Sequence, residues 1–159
     1  MTYKVKHTTK SRLVQTTLML VLLGIAVYVF MQSSFFECKQ VVVEGNKLLD
    51  ERTILKAADV PMGSNLFYID DSLVKTRLGL LPLVDEAMIY KELPGTFRIK
   101  LVERVPTIIL SFFEKFILLD AKGYYIQDVE TINEYNLPVV TGIDAKEGLA
   151  LGSKLESRL

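Results

Sequence analysis

The 159-residue chain is half hydrophobic, balances 19 basic against 19 acidic residues, and has a mean hydropathy of +0.28. Balanced charge with this much apolar content excludes a disordered chain, and Cys38, the single cysteine, excludes a disulfide scaffold. His7 is the one histidine and tryptophan is absent, so any histidine-dependent metal site or Ser/Cys–His pair would have to be built around His7.

No charged residue occurs from Leu13 to Met31. As a helix, the stretch Leu13–Phe30 would rise about 27 Å, close to the roughly 30 Å of bilayer hydrocarbon. A helix satisfies every backbone N–H and C=O within such a segment, so residues 13–33 are expected to span a membrane. Lys4, Lys6, Lys10 and Arg12 precede the span with no acid among them, whereas 15 basic and 19 acidic residues follow it. That asymmetry predicts a cytoplasmic tail at 1–12 and export of the remainder. The apolar run is longer than a signal-peptide core, and Tyr28–Ser34 offers no small-x-small cleavage pair, which favours an uncleaved anchor. His7 is then a solvated tail residue, cut off from every carboxylate. Cys38 is read as a small inward-facing strand residue.

Beyond the span, Phe36 and Cys38 alternate, and Val41 and Val43 alternate one residue out of phase. This reads as one strand with a bulge near Lys39-Gln40, closed by a Glu44-Gly45-Asn46 turn. Asp50 is placed to cap a helix whose apolar stripe is Ile54, Leu55 and Ala58. Pro61, Gly63, Ser64 and Asn65 break the chain. A second helix begins at Asp70 or Asp71, carries Val74, Leu78 and Leu81 on one face, and stops at Pro82. Ala87–Tyr90 is strand-like, Glu92–Thr96 is a turn, and Phe97, Ile99 and Leu101 alternate with Arg98, Lys100 and Val102 as in a half-buried strand. The order β-α-α-β-β describes an α+β module at 36–106, one sheet face covered by two helices.

Residues 107–159 form a partial, mainly β domain. Its strands are expected at Ile108–Phe112, Phe116–Leu119 and Tyr124–Ile126, with a fourth in the Leu137–Gly142 stretch; turns fall at Glu114-Lys115 and Asp120–Gly123. The aromatic set Phe112, Phe113, Phe116, Tyr124 and Tyr125 reads mainly as core and edge packing. The fold class is therefore a single-pass membrane protein with an α+β domain followed by a partial β domain.

Several short motifs stand in order behind the anchor. They are Phe36-x-Cys38-x-x-Val41-x-Val43-x-Gly45-Asn46, Asn65-Leu66-Phe67-x-Ile69-Asp70, Leu81-Pro82-Leu83-Val84, Leu93-Pro94-Gly95-Thr96-Phe97-x-Ile99, Glu103-Arg104-Val105-Pro106 and Leu137-Pro138-Val139-Val140-Thr141-Gly142. With the basic tail and single anchor, the set resembles the FtsQ/DivIB family of bacterial cell-division proteins over roughly Lys4 to Gly142. The resemblance implies a POTRA domain at 36–106. It also implies a non-catalytic place in the division-site complex with proteins of the FtsL and FtsB (DivIC) type, linking to the septal peptidoglycan synthesis machinery. Family members usually continue past the Leu-Pro-Val-Val-Thr-Gly segment, so the terminal strands offered to an FtsB-like partner are expected beyond this sequence, and a truncated chain is one expectation.

Gly45, Asn46, Glu103, Arg104 and Pro106 are the candidate interaction or inter-domain residues. Gly45-Asn46 answers first to the needs of a turn, and Glu103-Arg104-Pro106 sits where one module hands over to the next, as an ion pair pinning the modules or as a partner site. Asp70-Asp71 reads as helix capping. Edge strands left by so small a sheet offer backbone groups for strand addition by a partner. No cofactor, metal or small-molecule substrate is expected, and the mildly acidic exported part argues against nucleic acid. Two alternatives stay open: a membrane-tethered cell-wall enzyme, which would need a carboxylate-only site, and a POTRA-bearing secretion or outer-membrane assembly component.

Overall fold

Residues 9–112, 115–142 and 150–155 are described in the computed structural model. Lys4, Lys6, His7, Phe113 and Glu114 lie outside that set, as do the side chains of Lys10 and Phe112. Helix α1 (Thr9–Met31) contains a 21-residue segment, Ser11–Met31, with mean hydropathy 2.2 and no part of it buried against the rest of the chain. Its length and composition suffice to cross a membrane. Thr16 and Thr17 do not disturb it, because they donate their hydroxyls to the carbonyls of Arg12 and Leu13, at 2.8 and 2.9 Å.

The first module is a three-stranded sheet in the order β1-β3-β2, with β1 (Gln40–Glu44) parallel to β3 (Thr96–Glu103) and β2 (Val84–Glu92) antiparallel to it. Helices α2 (Glu51–Ala58) and α3 (Asp71–Gly79) cover one face. The alternation in β3 decides which face. Phe97, Ile99 and Leu101 are buried together with Ile54 and Ala58 of α2, Val74 and Leu78 of α3, and Cys38, Leu66, Ile69 and Val84. Arg98 points the other way and ties all three strands together, pairing with Glu44 of β1 and Glu92 of β2. Burial raises the pKa of the Cys38 thiol, against a smaller opposing effect of the Gln40 carbonyl. An unreactive core residue follows.

Four details differ from the sequence reading. The bulged strand expected from Phe36 is two pieces, a 3-10 turn (Ser34–Phe36) and then β1, which begins only at Gln40. The phase slip arises in the connection between them, where Cys38 N–H donates to the Ser64 carbonyl (2.8 Å) and Gly63 N–H to the Cys38 carbonyl (2.9 Å). Asp50 occupies the position before α2 but makes no side-chain capping bond, whereas Asp70 accepts from the N–H groups of Ser72 and Leu73. Helix α3 ends at Gly79, not at Pro82, since residues ahead of a proline are biased away from helical backbone; Leu81 packs on the core from outside the helix. Strand β2 extends well beyond Ala87–Tyr90 in both directions.

The second module is a four-stranded sheet in the order β6-β5-β4-β7, built from β4 (Pro106–Phe112), β5 (Lys115–Asp120), β6 (Tyr125–Val129) and the two-residue β7 (Val139–Val140), parallel to β4. Both its faces are apolar. Leu110, Ile117, Leu119 and Tyr125 cluster on one, and Ile109, Leu118 and Ile126 on the other, where Phe116 packs as well. The first module contributes Leu83 to this second cluster.

The Glu44–Asn46 turn depends on a glycine. Gly45 has φ +87°, and a Cβ there would overlap the Leu101 carbonyl oxygen of β3. Gly45→Ala is therefore expected to destabilise the fold by about 2–3 kcal/mol, since it meets both backbone strain and a main-chain clash that cannot yield. Chemical denaturation of the detergent-solubilised chain, with Gly63→Ala as the comparison at an uncrowded positive-φ glycine, checks this.

Candidate functional site

The candidate residues converge at the end of the first module remote from α1. Strand β1 runs away from the anchor, so Gly45 and Asn46 lie at its far end, where β3 delivers Glu103 before the chain crosses to β4. Asn46 Nδ2 donates to the Leu49 carbonyl at 3.0 Å and closes the loop on itself. Glu103 then holds the loop from outside. Its carboxylate accepts from three successive backbone N–H groups, those of Lys47 (2.9 Å), Leu48 (2.8 Å) and Leu49 (2.8 Å). Burial alone would raise the pKa of this carboxyl; the three N–H donors, aided by the charge of Lys47, outweigh it and hold the group below its usual value of 4.5.

Arg104 makes the ion pair that spans the modules. One guanidinium nitrogen lies 3.2 Å from Asp85 of β2 and 2.7 Å from Asp120 at the end of β5. The Arg104 and Asp120 side chains are only 9% and 7% exposed. The guanidinium carbon stands 3.9 Å from the centre of the Tyr124 ring, a cation–π arrangement. Lys122 closes the network with two bonds to Asp85, at 2.6 and 2.8 Å. Two cations thus face two carboxylates. Asp120 also accepts from the N–H groups of Lys122 and Tyr124, both at 2.8 Å. Burial would raise its pKa, but the bonds from Tyr124 N–H, the Arg104 guanidinium and Lys122 N–H prevail and lower it. The Arg104 N–H also donates to the Leu83 carbonyl at 2.7 Å, so the backbone is fixed as well as the side chain.

Four of the five candidate residues, Gly45, Glu103, Arg104 and Pro106, line one open groove of about 490 Å³, whose rim carries the exposed Leu48, Val102 and Val105. Asn46 stands behind it, shaping the loop. Among the described residues, the groove lining brings no nucleophile–base pair together. The groove presents an apolar strip beside the paired charges of Arg104, which suits the docking of a peptide segment. Of the residues chosen for membrane orientation, Arg12 is exposed on the first turns of α1 and Lys10 lies in the same helix; Lys4 and Lys6 fall outside the described residues.

The reading of Glu103-Arg104 as a unit missed their division of labour, with Glu103 serving the first module internally and Arg104 joining the two. It also missed Asp85, Asp120, Lys122 and Tyr124. A signal for Asp120 existed: the hairpin pairs Pro106 with Asp120, which brings the end of β5 beside the residues just before β4.

Residues 36–104 match the POTRA domain, FtsQ-type. The chain is 29% identical to the cell division protein DivIB of Clostridium tetani over 128 residues, 80% of this chain and 48% of that protein. It is 29% identical to the cell division protein FtsQ of Syntrophotalea carbinolica, covering 70% of this chain and 39% of that one. With FtsQ of Streptomyces venezuelae the identity is 30% over 129 residues, 77% of this chain and 48% of that protein. The chain therefore spans less than half the length of these relatives.

Removing Arg104 leaves the Asp120 carboxylate buried with only backbone donors. Arg104→Met is expected to cost about 2–4 kcal/mol, and Arg104→Met with Asp120→Asn less than the two single losses added, as a denaturation double-mutant cycle on the solubilised chain would read. The pH dependence has a fixed sign. Glu103 and Asp120 are both depressed in the folded chain, so their contribution is complete above the ordinary values of 4.5 and 3.8 and is lost as pH falls below them through the lower folded values. Stability should stay level above about pH 5 and decline below about pH 4, and Glu103→Gln should flatten that decline in an acid titration followed by circular dichroism.

Proposed function

We propose that the chain is a member of the FtsQ/DivIB family of cell-division proteins, a non-catalytic, membrane-anchored scaffold of the bacterial divisome; the FtsQ-type POTRA match and the likeness to proteins named FtsQ and DivIB support the reading. The observation that carries the reading is one construction: an FtsQ-type POTRA domain held between a single apolar helix and a second β module to which Arg104 bolts it. In this reading α1 sits in the cell membrane with the basic tail in the cytoplasm and both modules outside, at the division septum. Its partners are division membrane proteins of the FtsL and FtsB/DivIC type, and through them the septal peptidoglycan synthesis machinery.

The contacts are non-covalent. The first sheet leaves β1 and β2 as its outer strands, and backbone groups at such edges accept an added partner strand. The groove beside Leu48 and Val105 supplies an apolar seat next to the β1 edge. Confinement of scaffold and partners to one membrane raises their effective concentration, so weak individual contacts suffice.

Two measurements test the proposal together. A fluorescent fusion to the cytoplasmic end is expected to form a midcell band in dividing cells, and uniform rim labelling would count against a divisome role. Protease added to inverted membrane vesicles should leave both modules intact; digestion from the carboxyl side would overturn the orientation.

A further inference from the structure

The first module is not hung from the anchor on a loose tether. Phe30, on the last turn of α1, meets Phe36 edge-on at 5.3 Å between ring centres and Phe35 at 6.1 Å. Phe36 in turn meets Phe35 at 5.1 Å and Phe67 at 5.2 Å. Asn65 Nδ2 donates to the Met31 carbonyl, one of the free carbonyls at the helix end, at 2.6 Å, while its Oδ1 caps the 3-10 turn Leu66–Tyr68 by accepting from Phe67 N–H. Glu37 pairs with Asn65 as an isolated bridge. The Leu66–Tyr68 turn is thereby clamped to the end of the span.

That turn has two unlike sides. Leu66 is fully buried in the core, whereas Phe67 is 44% and Tyr68 70% exposed, and Phe35 beside them is half-exposed. Exposed aromatics are costly in water but are favoured at a membrane interface, where the apolar rings of Phe35 and Phe67 reach the acyl boundary and the ring and hydroxyl of Tyr68 are both accommodated at the headgroups. The hydrocarbon-length part of α1, Ser11–Met31, rises about 32 Å, so Phe30 lies at the hydrocarbon border when the helix spans. Two ring-to-ring steps of 5.3 and 5.2 Å lead from there to Phe67. The headgroup layer is itself roughly 5–8 Å deep, so two such steps carry the Phe67 ring no further than its outer edge region even when both run along the membrane normal, and leave it inside the layer when they are inclined.

We propose that Phe35, Phe67 and Tyr68 form an aromatic foot seated in the lipid headgroup layer, which sets the posture of the module on the membrane. The occupant of this surface is lipid. The argument is continuity: the foot extends, ring by ring, an apolar surface that the anchor already commits to the bilayer. The inference rests on the reading of α1 as a membrane anchor.

The chain has no tryptophan, so a single introduced one reports alone. Four full-length variants, Tyr68→Trp, Phe35→Trp, Phe30→Trp and Leu48→Trp, are reconstituted into phosphatidylcholine/phosphatidylglycerol vesicles with and without phosphatidylcholine brominated near the head of its acyl chains. Leu48, exposed at the far end of β1, is the distant control. Tryptophan at 68 and at 35 should emit to the blue of the Leu48→Trp variant and lose about half its intensity to the brominated lipid, as rings at the headgroup–acyl boundary do. Quenching at position 30 with none at 68 and 35 would overturn the foot and leave the anchor standing. Absence of quenching at all three would overturn both. Having two exposed foot positions guards against a fault in either variant.

Discussion

A guanidinium taken out of water between two sheets must find its counter-charges within bonding distance, and Arg104 finds them on both sides. Asp85 belongs to the first module and Asp120 to the second, so the stable position of the cation exists only when the modules are together. Isolated surface ion pairs contribute little, but this pair is nearly excluded from solvent, bonded to backbone donors and stacked on Tyr124. Its chief consequence is specificity of arrangement. Another relative placement of the two sheets would strand a charge, and Leu83 would lose its seat among Ile109, Leu118 and Ile126.

The opposite end of the first module obeys a different rule. There the junction is aromatic, four phenylalanines in sequence contact with one amide bridging to the last helical carbonyl. Polar bonding holds the end at the module junction and ring packing the end beside the apolar helix, and each would be in the medium where it is effective if α1 spans a membrane as proposed. Between them, β1 and β3 run parallel from one junction to the other, a rigid connection with no intervening linker.

Much of this was legible in the residues. Strict alternation over Phe97–Leu101 placed β3 and its buried face, because the pleat leaves no freedom in which side a residue takes. The apolar run of α1 was plain from length alone, and Asp70 announced α3 by its capping chemistry. The failures share a cause. Phe36 and Cys38 looked like strand because both are buried at a two-residue spacing, yet Cys38 bonds to the Gly63–Ser64 loop and Phe36 packs on Phe30, Phe35 and Phe67, tertiary contacts that periodicity does not record. Likewise Glu103 was noticed as a neighbour of Arg104, whereas its partners are the backbone N–H groups of Lys47–Leu49, which no side-chain pattern announces. The candidate groove was visible as a set of residues and invisible as a place, since Gly45 and Pro106 are adjacent only once β1 and β3 have paired.

A scaffold of the kind proposed, holding several partners at once, would gain from such stiffness. Binding normally orders side chains and loops at the interface, and that loss of freedom is subtracted from every contact made. Here the loop beside the groove is already held by Glu103 and Asn46, and the relative position of the modules by Arg104, so the ordering cost falls on folding instead. Under the proposed role, a partner in the same membrane would meet a surface whose height and direction are set. Two-dimensional confinement raises local concentration only for geometries that can be reached together, and a fixed posture narrows those to one. Weak edge and groove contacts would become sufficient under that condition, and the two junctions would then be the features on which the proposed assembly depends.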